Sequence, residues 1–148
     1  MIVIVFAFAA FTVDVGMITI VKSELQNAAD ASALAASTEL TDLYVSGTTG
    51  NIVLTNSTLA EARTAAVNVA NANPNGYDSS TNLEPMADIR FGSRTWDPTA
   101  SQWVIAWNVE PYNAVEVTTR RNATRGNALP LSFAPVIGHA ISEFEEKA

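Results

Sequence analysis

The chain has 148 residues and carries 15 acidic and 8 basic side chains, which gives a net charge of −7. The basic residues form no long run, which argues against a nucleic-acid partner. There is no cysteine and one histidine, His139; this composition excludes disulfides, thiol catalysis, Cys-ligated metals, His-based triads and multi-His metal centres.

The first predicted element is a single long helix over residues 1–44. This stretch has no proline and one glycine, Gly16, and hydrophobic residues recur along its whole length. We expect the helix to continue through Gly16, because packing outweighs the helix cost of about 1 kcal/mol for one glycine. A helix of this length measures about 65 Å. One small globular domain cannot cover it, so part of it must lie in a membrane or against other copies of the chain.

The first half of this helix is apolar. Up to Val21 only three side chains are neither apolar nor glycine: Thr12, Asp14 and Thr19. About 21 such residues can cross a hydrocarbon layer roughly 30 Å thick. The segment lacks the basic start and the small-residue cleavage pattern of a signal peptide, so we expect it to be retained. We therefore divide the chain into an apolar anchor or filament-core segment, 1–22, and the rest of the helix with an α+β ectodomain, 23–148.

Beyond Lys22 the helix becomes amphipathic. Its apolar face recurs at helical spacing and is narrow and rich in alanine: Val21, Leu25, Ala28, Ser32, Ala36, Leu40 and Leu43. Because small side chains permit close approach, residues 28–36 should pack against the sheet or against the long helix of a neighbouring copy. The helix should end near Val45, where a glycine-containing loop begins that has room for one short strand at 52–54.

A second helix is predicted to begin at Asn56. Thr58 and Glu61 have the spacing of a capping box, in which each side chain satisfies an amide at the start of a helix. Pro74 should end this helix, because proline has no amide hydrogen and clashes with the preceding turn. The apolar face of the helix comprises Leu59, Ala62, Ala66 and Val69.

The run at residues 71–82 is rich in Asn, Ser, Asp and Gly, which are turn formers. Such loops sometimes bind calcium, but the ordered ligand spacing of an EF-hand is missing. We therefore expect a solvated surface loop, and we predict no metal and no cofactor.

After this loop the hydrophobic period changes to two. Residues 87–94, 102–108 and 114–121 are rich in β-branched and aromatic residues and are separated by turns, which predicts an antiparallel meander. The expected core-facing residues are Ile89, Phe91, Trp103, Ile105, Trp107, Val115 and Val117. The fold class is therefore α+β, with a long N-terminal helix and a second helix packed on a small antiparallel sheet.

The last part of the chain is less regular. Residues 129–138 form an apolar segment that contains two prolines, and we expect a short helix or an irregular clamp there. Residues 140–148 should form a last strand or a short helix, with a solvated Glu-Phe-Glu-Glu-Lys end. His139 should lie on the surface.

Several motifs together resemble the TadE/TadG-like proteins of tight-adherence (Flp) pilus loci. An apolar anchor leads into Val-Asp-Val-Gly at 13–16 and then into the block Leu-Gln-Asn-Ala-Ala-Asp-Ala-Ser-Ala-Leu-Ala at 25–35. Three further stretches are similar to family segments in the same order: Phe-Gly at 91–92 with Trp-Asp-Pro at 96–98, Asn-Ala-Val-Glu-Val-Thr-Thr-Arg-Arg at 113–121, and Leu-Pro-Leu-Ser-Phe-Ala at 129–134. The resemblance implies a pilin-like, membrane-derived subunit of the bacterial cell envelope.

Two functional classes follow. The first is a structural subunit that polymerises with copies of itself into an extracellular filament, from a precursor held in the inner membrane. The alternative is a membrane-anchored minor pseudopilin or assembly component. An adhesive role for Tyr77, Trp96 and Tyr112 on loops is compatible with either class, although no surface ligand can be named. No catalytic fingerprint is present, so we do not expect an enzyme.

Asp14 is the most informative single residue, because a carboxylate at membrane depth usually has a partner. One interpretation places it at the membrane interface, solvated or capped by Thr12. The other pairs it with the free amine at Met1 of a neighbouring copy, which would supply a positive partner inside a filament core. The predicted subunit interface comprises Met1, Phe6, Phe8, Phe11, Asp14, Ile18, Val21, Leu25, Ala29 and Ala36.

Overall fold

The computed structural model describes residues 2–46, 56–76 and 81–148, with side chains at 5–41, 58–76 and 81–148. The first helix, α1, runs unbroken over Ile2–Ser46. The predicted continuity through Gly16 is confirmed, and a Cβ added there would meet no atom within 4 Å. The helix ends one residue after the predicted end near Val45. The strand considered at 52–54 lies outside the described residues.

The second helix, α2, spans Asn56–Ala72. It begins at the predicted residue and ends before Pro74, as expected. Because the helix already begins at Asn56, Thr58 lies inside its first turn, which corrects the prediction that Thr58 and Glu61 form a capping box at the helix end. Three alanines one turn apart form its buried stripe: Ala62, Ala66 and Ala70.

The alanine-rich face of α1 packs against α2 and the sheet. All of the predicted face residues from Val21 to Leu40 are buried, as is Ala29, whereas the side chain of Leu43 is not described. Alanine at these positions permits the close approach that was predicted for residues 28–36. The main core cluster comprises Ala36, Leu40, Ala62, Ala66, Ala70, Leu83, Ile89, Phe91 and Val117.

The described residues contain six strands: β1 (Ile89–Asp97), β2 (Gln102–Trp107), β3 (Ala114–Arg121), β4 (Leu129–Pro130), β5 (Ile141–Ser142) and β6 (Phe144–Lys147). Four of them form one sheet in the order β2-β1-β3-β6, and every neighbouring pair is antiparallel. β4 and β5 pair separately as a short antiparallel ladder. The predicted α+β class is confirmed.

The three predicted strands are present, but they do not form a meander. β3 pairs with the first half of β1 instead of with β2, so β1 lies between its two neighbours. The change of partner occurs at Gly92, where the backbone of β2 comes so close that an added Cβ would lie 2.7 Å from the carbonyl oxygen of Ala106. Beyond it, Asn113 takes the place of a strand partner: its Oδ1 accepts a hydrogen bond from the Arg94 N–H and its Nδ2 donates one to the Arg94 carbonyl oxygen.

The predicted core face is correct on β1 and β3 and wrong on β2. Ile89, Phe91 and Val117 are buried, and Val115 is partly buried against them. On β2, Trp103 and Ile105 are 56% and 41% exposed, and Trp107 is half-buried. The reason is position: β2 is the edge strand farthest from α1, which covers β3 and β6.

Part of the Asn-rich loop is buried, which corrects the expectation that it is solvated. Asn75 and Thr81 are each 2% exposed, and the Asn75 Nδ2 donates to the Thr81 Oγ1 at 2.8 Å. Arg121 on β3 is also buried, and its Nη1 donates to both the backbone and the side-chain oxygen of Asn75. These bonds satisfy polar groups that burial would otherwise leave unpaired at a cost of about 1–3 kcal/mol each.

The C-terminal part of the chain lies along α1. Between β4 and β5 the chain forms a 3-10 turn, Ala134–Ile137, within the segment for which a short helix or clamp was predicted. The tail forms β5 and β6, which is the strand alternative of the prediction. Its end is not fully solvated, because Phe144 packs against the small cluster of Val21, Leu25 and Leu129. His139 is exposed, as expected.

Candidate functional site

The carboxylate of Asp14 is covered, although it lies in the apolar half of α1. The residue is 5% exposed, whereas its neighbours Val13 and Val15 are 55% and 42% exposed. Thr12 does not cap it, because the Thr12 hydroxyl donates to the carbonyl oxygen of Phe8 in the preceding turn. The partner of Asp14 therefore comes from elsewhere in the chain.

Three backbone amides far along the sequence bind this carboxylate. Oδ1 accepts a hydrogen bond from the Ser132 N–H at 2.9 Å, and Oδ2 accepts two, from the N–H groups of Phe133 at 3.0 Å and Ala134 at 2.7 Å. Hydrogen bonds to an ionised acceptor are roughly twice as strong as neutral ones. We call residues 131–139, together with the bonds to Asp14, the Asp14 clasp.

Local sequence explains why these amides are free to bind. They lie at the start of the 3-10 turn Ala134–Ile137, where the first N–H groups of a helix have no partner within it. Pro135 lies at the start of the turn, where its missing amide hydrogen costs nothing. Gly138 ends the turn with a φ of 91°, a left-handed conformation that glycine adopts without strain. The amides consequently point at α1.

The clasp is supported by a small core next to it. Leu129 of β4 is fully buried with Val21 and Leu25 of α1, and Leu131 and Phe144 pack around them. β6 fixes the same region from outside, because Lys22 forms an ion pair with Glu146 at 3.4 Å. Asp14 thus lies at the border between the packed part of α1 and its exposed apolar part.

Beyond the clasp, α1 extends without cover from the other residues that the structure describes. Phe6 and Phe8 are each 70% exposed, and Phe11 is 60% exposed. The clasp adds apolar surface at the same place, since Val136 and Ile137 are 88% and 70% exposed. An open, mostly apolar groove of about 190 Å³ lies between α1 and the clasp. It is lined by Ala7, Ala10, Phe11, Asp14, Phe133, Ala134, Val136 and Ile137.

Residues 1–39 match the family model described as Putative Flp pilus-assembly TadE/G-like. The resemblance predicted from the motifs at 13–16 and 25–35 is thereby confirmed, and the motifs beyond residue 39 lie outside the match. No curated protein and no solved structure gives a significant match to the chain. The family is concerned with pilus assembly, which is not enzymatic in general.

The TadE/G-like segment coincides with the exposed apolar helix. Within the described residues, α1 contains one stretch, Val5–Thr41, that is long and apolar enough to cross a membrane, and only 11% of its most apolar window is buried. The core helix of a soluble protein would be mostly buried. Family match and helix together indicate association with the cell envelope.

The predicted interface residues differ widely in exposure. Phe6, Phe8 and Phe11 are exposed, Ile18 is half-buried, and the side chain of Met1 is not described. Four others are fully buried inside the chain's own core, where a neighbouring copy cannot reach them: Val21, Leu25, Ala29 and Ala36. Asp14 is satisfied by the clasp, which corrects the expectation that it needs a positive partner from another copy. An interface between copies stays a prediction.

Of the aromatic residues considered for adhesion, Tyr112 lies on the loop between β2 and β3, as expected, but Trp96 lies on a strand. Trp96 lies on β1, half exposed, and its ring meets the ring of Trp103 edge to face at 5.5 Å between centroids. Tyr112 is half-buried and packs in the same way against Phe91. Tyr77 lies outside the described residues.

A charged cluster that the sequence interpretation missed ties the turn before β1 to β3. Asp88 is 2% exposed, and its carboxylate binds Arg120 and, with both oxygens, Arg125. The bond to Asp88 raises the pKa of Arg125, and the bond from Arg120 lowers the pKa of Glu145. Glu116, which precedes the basic residues of β3, pairs with Arg90.

Proposed function

We propose that the chain is a membrane-anchored, pilin-like component of a tight-adherence pilus-assembly system. In this proposal the apolar half of α1 lies in the inner membrane, and the α+β part lies outside the hydrocarbon layer. The observation that supports it is the uncovered apolar helix that extends from a folded domain and carries the TadE/G-like match.

The length of the uncovered helix agrees with the thickness of a membrane. From Ile2 to Lys22 the helix advances about 30 Å at roughly 1.5 Å per residue, which equals the hydrocarbon thickness of a typical bilayer. Lys22 is the first basic residue along the helix, and its side chain is 60% exposed. A lysine in this position can place its charge at the membrane surface.

Asp14 is compatible with this placement because the clasp supplies its partners. A carboxylate within an apolar layer needs hydrogen bonds or an opposite charge. Three amides of the same chain meet this need, so a single copy can be accommodated in the bilayer without an ion pair to a neighbour.

The polymerising filament subunit remains the second candidate. It is favoured by the distribution of the exposed phenylalanines: at 100° per residue, Phe8 and Phe11 lie on one side of α1 and Phe6 lies on roughly the opposite side. A helix that is apolar on all sides is buried on all sides, either by lipid or by several neighbouring helices. In a filament core, copies of α1 would take the place of lipid.

Fractionation of cells that express the chain tests the proposal. We expect the full chain to remain in the membrane pellet after alkaline extraction, and the material sheared from the cells to lack filaments built from it. Filaments with this chain as the main constituent would instead establish the second candidate.

A pair of variants tests the role of the apolar half. Phe8→Asp places a charge near the membrane centre, at a cost of about 2.5–3.5 kcal/mol, and should shift the protein toward the soluble fraction. Leu34→Asp is the matched control, because Leu34 is 68% exposed on the packed half of the same helix. If neither variant changes the distribution, or if the unmodified protein is fully soluble, the apolar half is not an anchor.

A further inference from the structure

We propose that the Asp14 clasp is a second membrane-inserted element, which enters the hydrocarbon layer beside α1 and contacts lipid through Phe133, Val136 and Ile137. This inference rests on the proposed membrane anchor and adds a second point of contact from the C-terminal part of the chain. It concerns lipid hydrocarbon, not a protein partner.

The position of the clasp along the axis of α1 indicates its depth in the hydrocarbon layer. Asp14 lies eight residues before Lys22, and Ala7 lies fifteen residues before it, which correspond to about 12 Å and 22 Å along the helix axis. The clasp is bonded to Asp14, and its groove reaches Ala7. If Lys22 marks the surface of the hydrocarbon, the clasp lies well below that surface.

The side chains of the clasp suit that depth. From residue 131 to 138 the chain contains no charged side chain. Phe133, Val136 and Ile137 are 45%, 88% and 70% exposed and point their surface away from the protein core. Transfer of an exposed apolar side chain from water to hydrocarbon is favourable, so all three side chains favour insertion.

Most backbone N–H groups of the clasp are paired, which a lipid environment favours. Irregular backbone is excluded from hydrocarbon unless its polar groups are paired, because no water is present to bond them. Pro135 has no N–H group, and seven other N–H groups of the segment donate to acceptors within the chain: those of Leu131, Ser132, Phe133, Ala134, Val136, Gly138 and His139.

The pairing of these N–H groups also favours lipid over a protein strand as the neighbour of the clasp. An extended edge that recruits a protein strand offers unpaired amides and carbonyls. The clasp instead presents apolar side chains over amides that are already bonded, which is a surface suited to a solvent without hydrogen-bonding groups. Asp14 therefore has one further role: it supplies the acceptors that allow the clasp to enter the membrane.

Single-cysteine variants of the full chain provide the test, because the native sequence has no cysteine. Val136→Cys reports on the clasp, and this position is 88% exposed, so the substitution leaves the fold intact. Phe8→Cys reports on the anchor, and Ala100→Cys, on the exposed turn between β1 and β2, reports on the water-exposed domain. Each variant is reconstituted into phosphatidylcholine–phosphatidylglycerol vesicles, and the rate at which its thiol reacts with a membrane-impermeant maleimide is measured. In a second sample the same cysteine carries a bimane, and quenching of its fluorescence by lipids with a nitroxide in the acyl chain is measured.

We expect the thiols at positions 136 and 8 to react at least tenfold more slowly than the thiol at position 100. The bimane at 136 and at 8 should be quenched by the lipid nitroxide, and the bimane at 100 should not. If position 136 reacts as fast as position 100 while position 8 stays protected, the clasp lies in water and the inference is overturned, although the anchor remains. If position 136 is protected yet not quenched by lipid, another copy covers it, which also overturns the inference. If position 8 is fully reactive, the proposed anchor itself fails.

Discussion

Replacing Asp14 with alanine should release the clasp from α1 without unfolding the domain. The substitution removes the acceptor of three backbone hydrogen bonds. Each bond to a charged group contributes about 1.5–3 kcal/mol, which sets an upper range of about 4–9 kcal/mol for the three. The released clasp can leave the apolar layer and bond its amides to water, so we expect the loss to be limited to about 2–4 kcal/mol. The main core is far from this site and should persist.

Amide hydrogen exchange of the full chain in detergent micelles measures this loss. Because about 1.4 kcal/mol corresponds to a tenfold change, protection of the N–H groups of Ser132, Phe133 and Ala134 should fall by roughly 30-fold or more in Asp14→Ala. Asp14→Asn keeps one oxygen acceptor, so the protection of these amides should lie between that of the unmodified chain and that of Asp14→Ala. Thr12→Ala is the matched control, since Thr12 bonds only within α1. Unchanged protection in Asp14→Ala would refute the clasp.

Two further perturbations test the sheet and the charged cluster. Gly92→Ala places a methyl group 2.7 Å from a carbonyl oxygen of β2 and should lower the free energy of unfolding by about 1–3 kcal/mol. Gly16→Ala lies in open space on α1 and should raise the free energy of unfolding by up to about 1 kcal/mol. Urea unfolding of both variants measures these changes. Because Arg120 lowers the pKa of Glu145, the stabilisation from this pair is present above the ordinary carboxylate pKa and is lost as the pH falls through the lowered value. Glu145→Gln should therefore reduce stability at pH 7 by less than about 1 kcal/mol, as expected for a half-exposed pair, and the difference should vanish in acid; a constant difference down to pH 2 would contradict this assignment.

The long helix and the strands could be predicted because their signals are local. The absence of proline and the spacing of Val21, Leu25 and Ala36 predict a helix that buries one face. Strand β3 was predicted with the observed bounds, Ala114–Arg121, because its composition changes sharply at both ends. Hydrophobic periodicity and local composition are properties of neighbouring residues in the sequence, and these properties were enough to predict the helix and the strands.

The order of the strands and the partner of Asp14 could not be predicted in this way. Whether β3 pairs with β1 or β2 depends on a close backbone approach at Gly92 and on the side chain of Asn113. The alternation of apolar and polar residues along a strand shows neither of these contacts. The clasp binds Asp14 through backbone amides, which every residue except proline possesses, so no side-chain motif marks them. The available signal was the pair of prolines in an apolar segment, which indicated a clamp but not its target.

The clasp can form only late in the synthesis of the chain. Asp14 is synthesised 118 to 120 positions before the amides that bind it, and contacts so distant in sequence form late because the intervening chain must first be brought together. In the proposed membrane anchor, the carboxylate therefore has none of these donors until most of the chain has been synthesised. A chain interrupted before residue 131 would hold an anchor with an unsatisfied charge, a state less stable in lipid than the finished protein, and this difference distinguishes complete copies from incomplete ones.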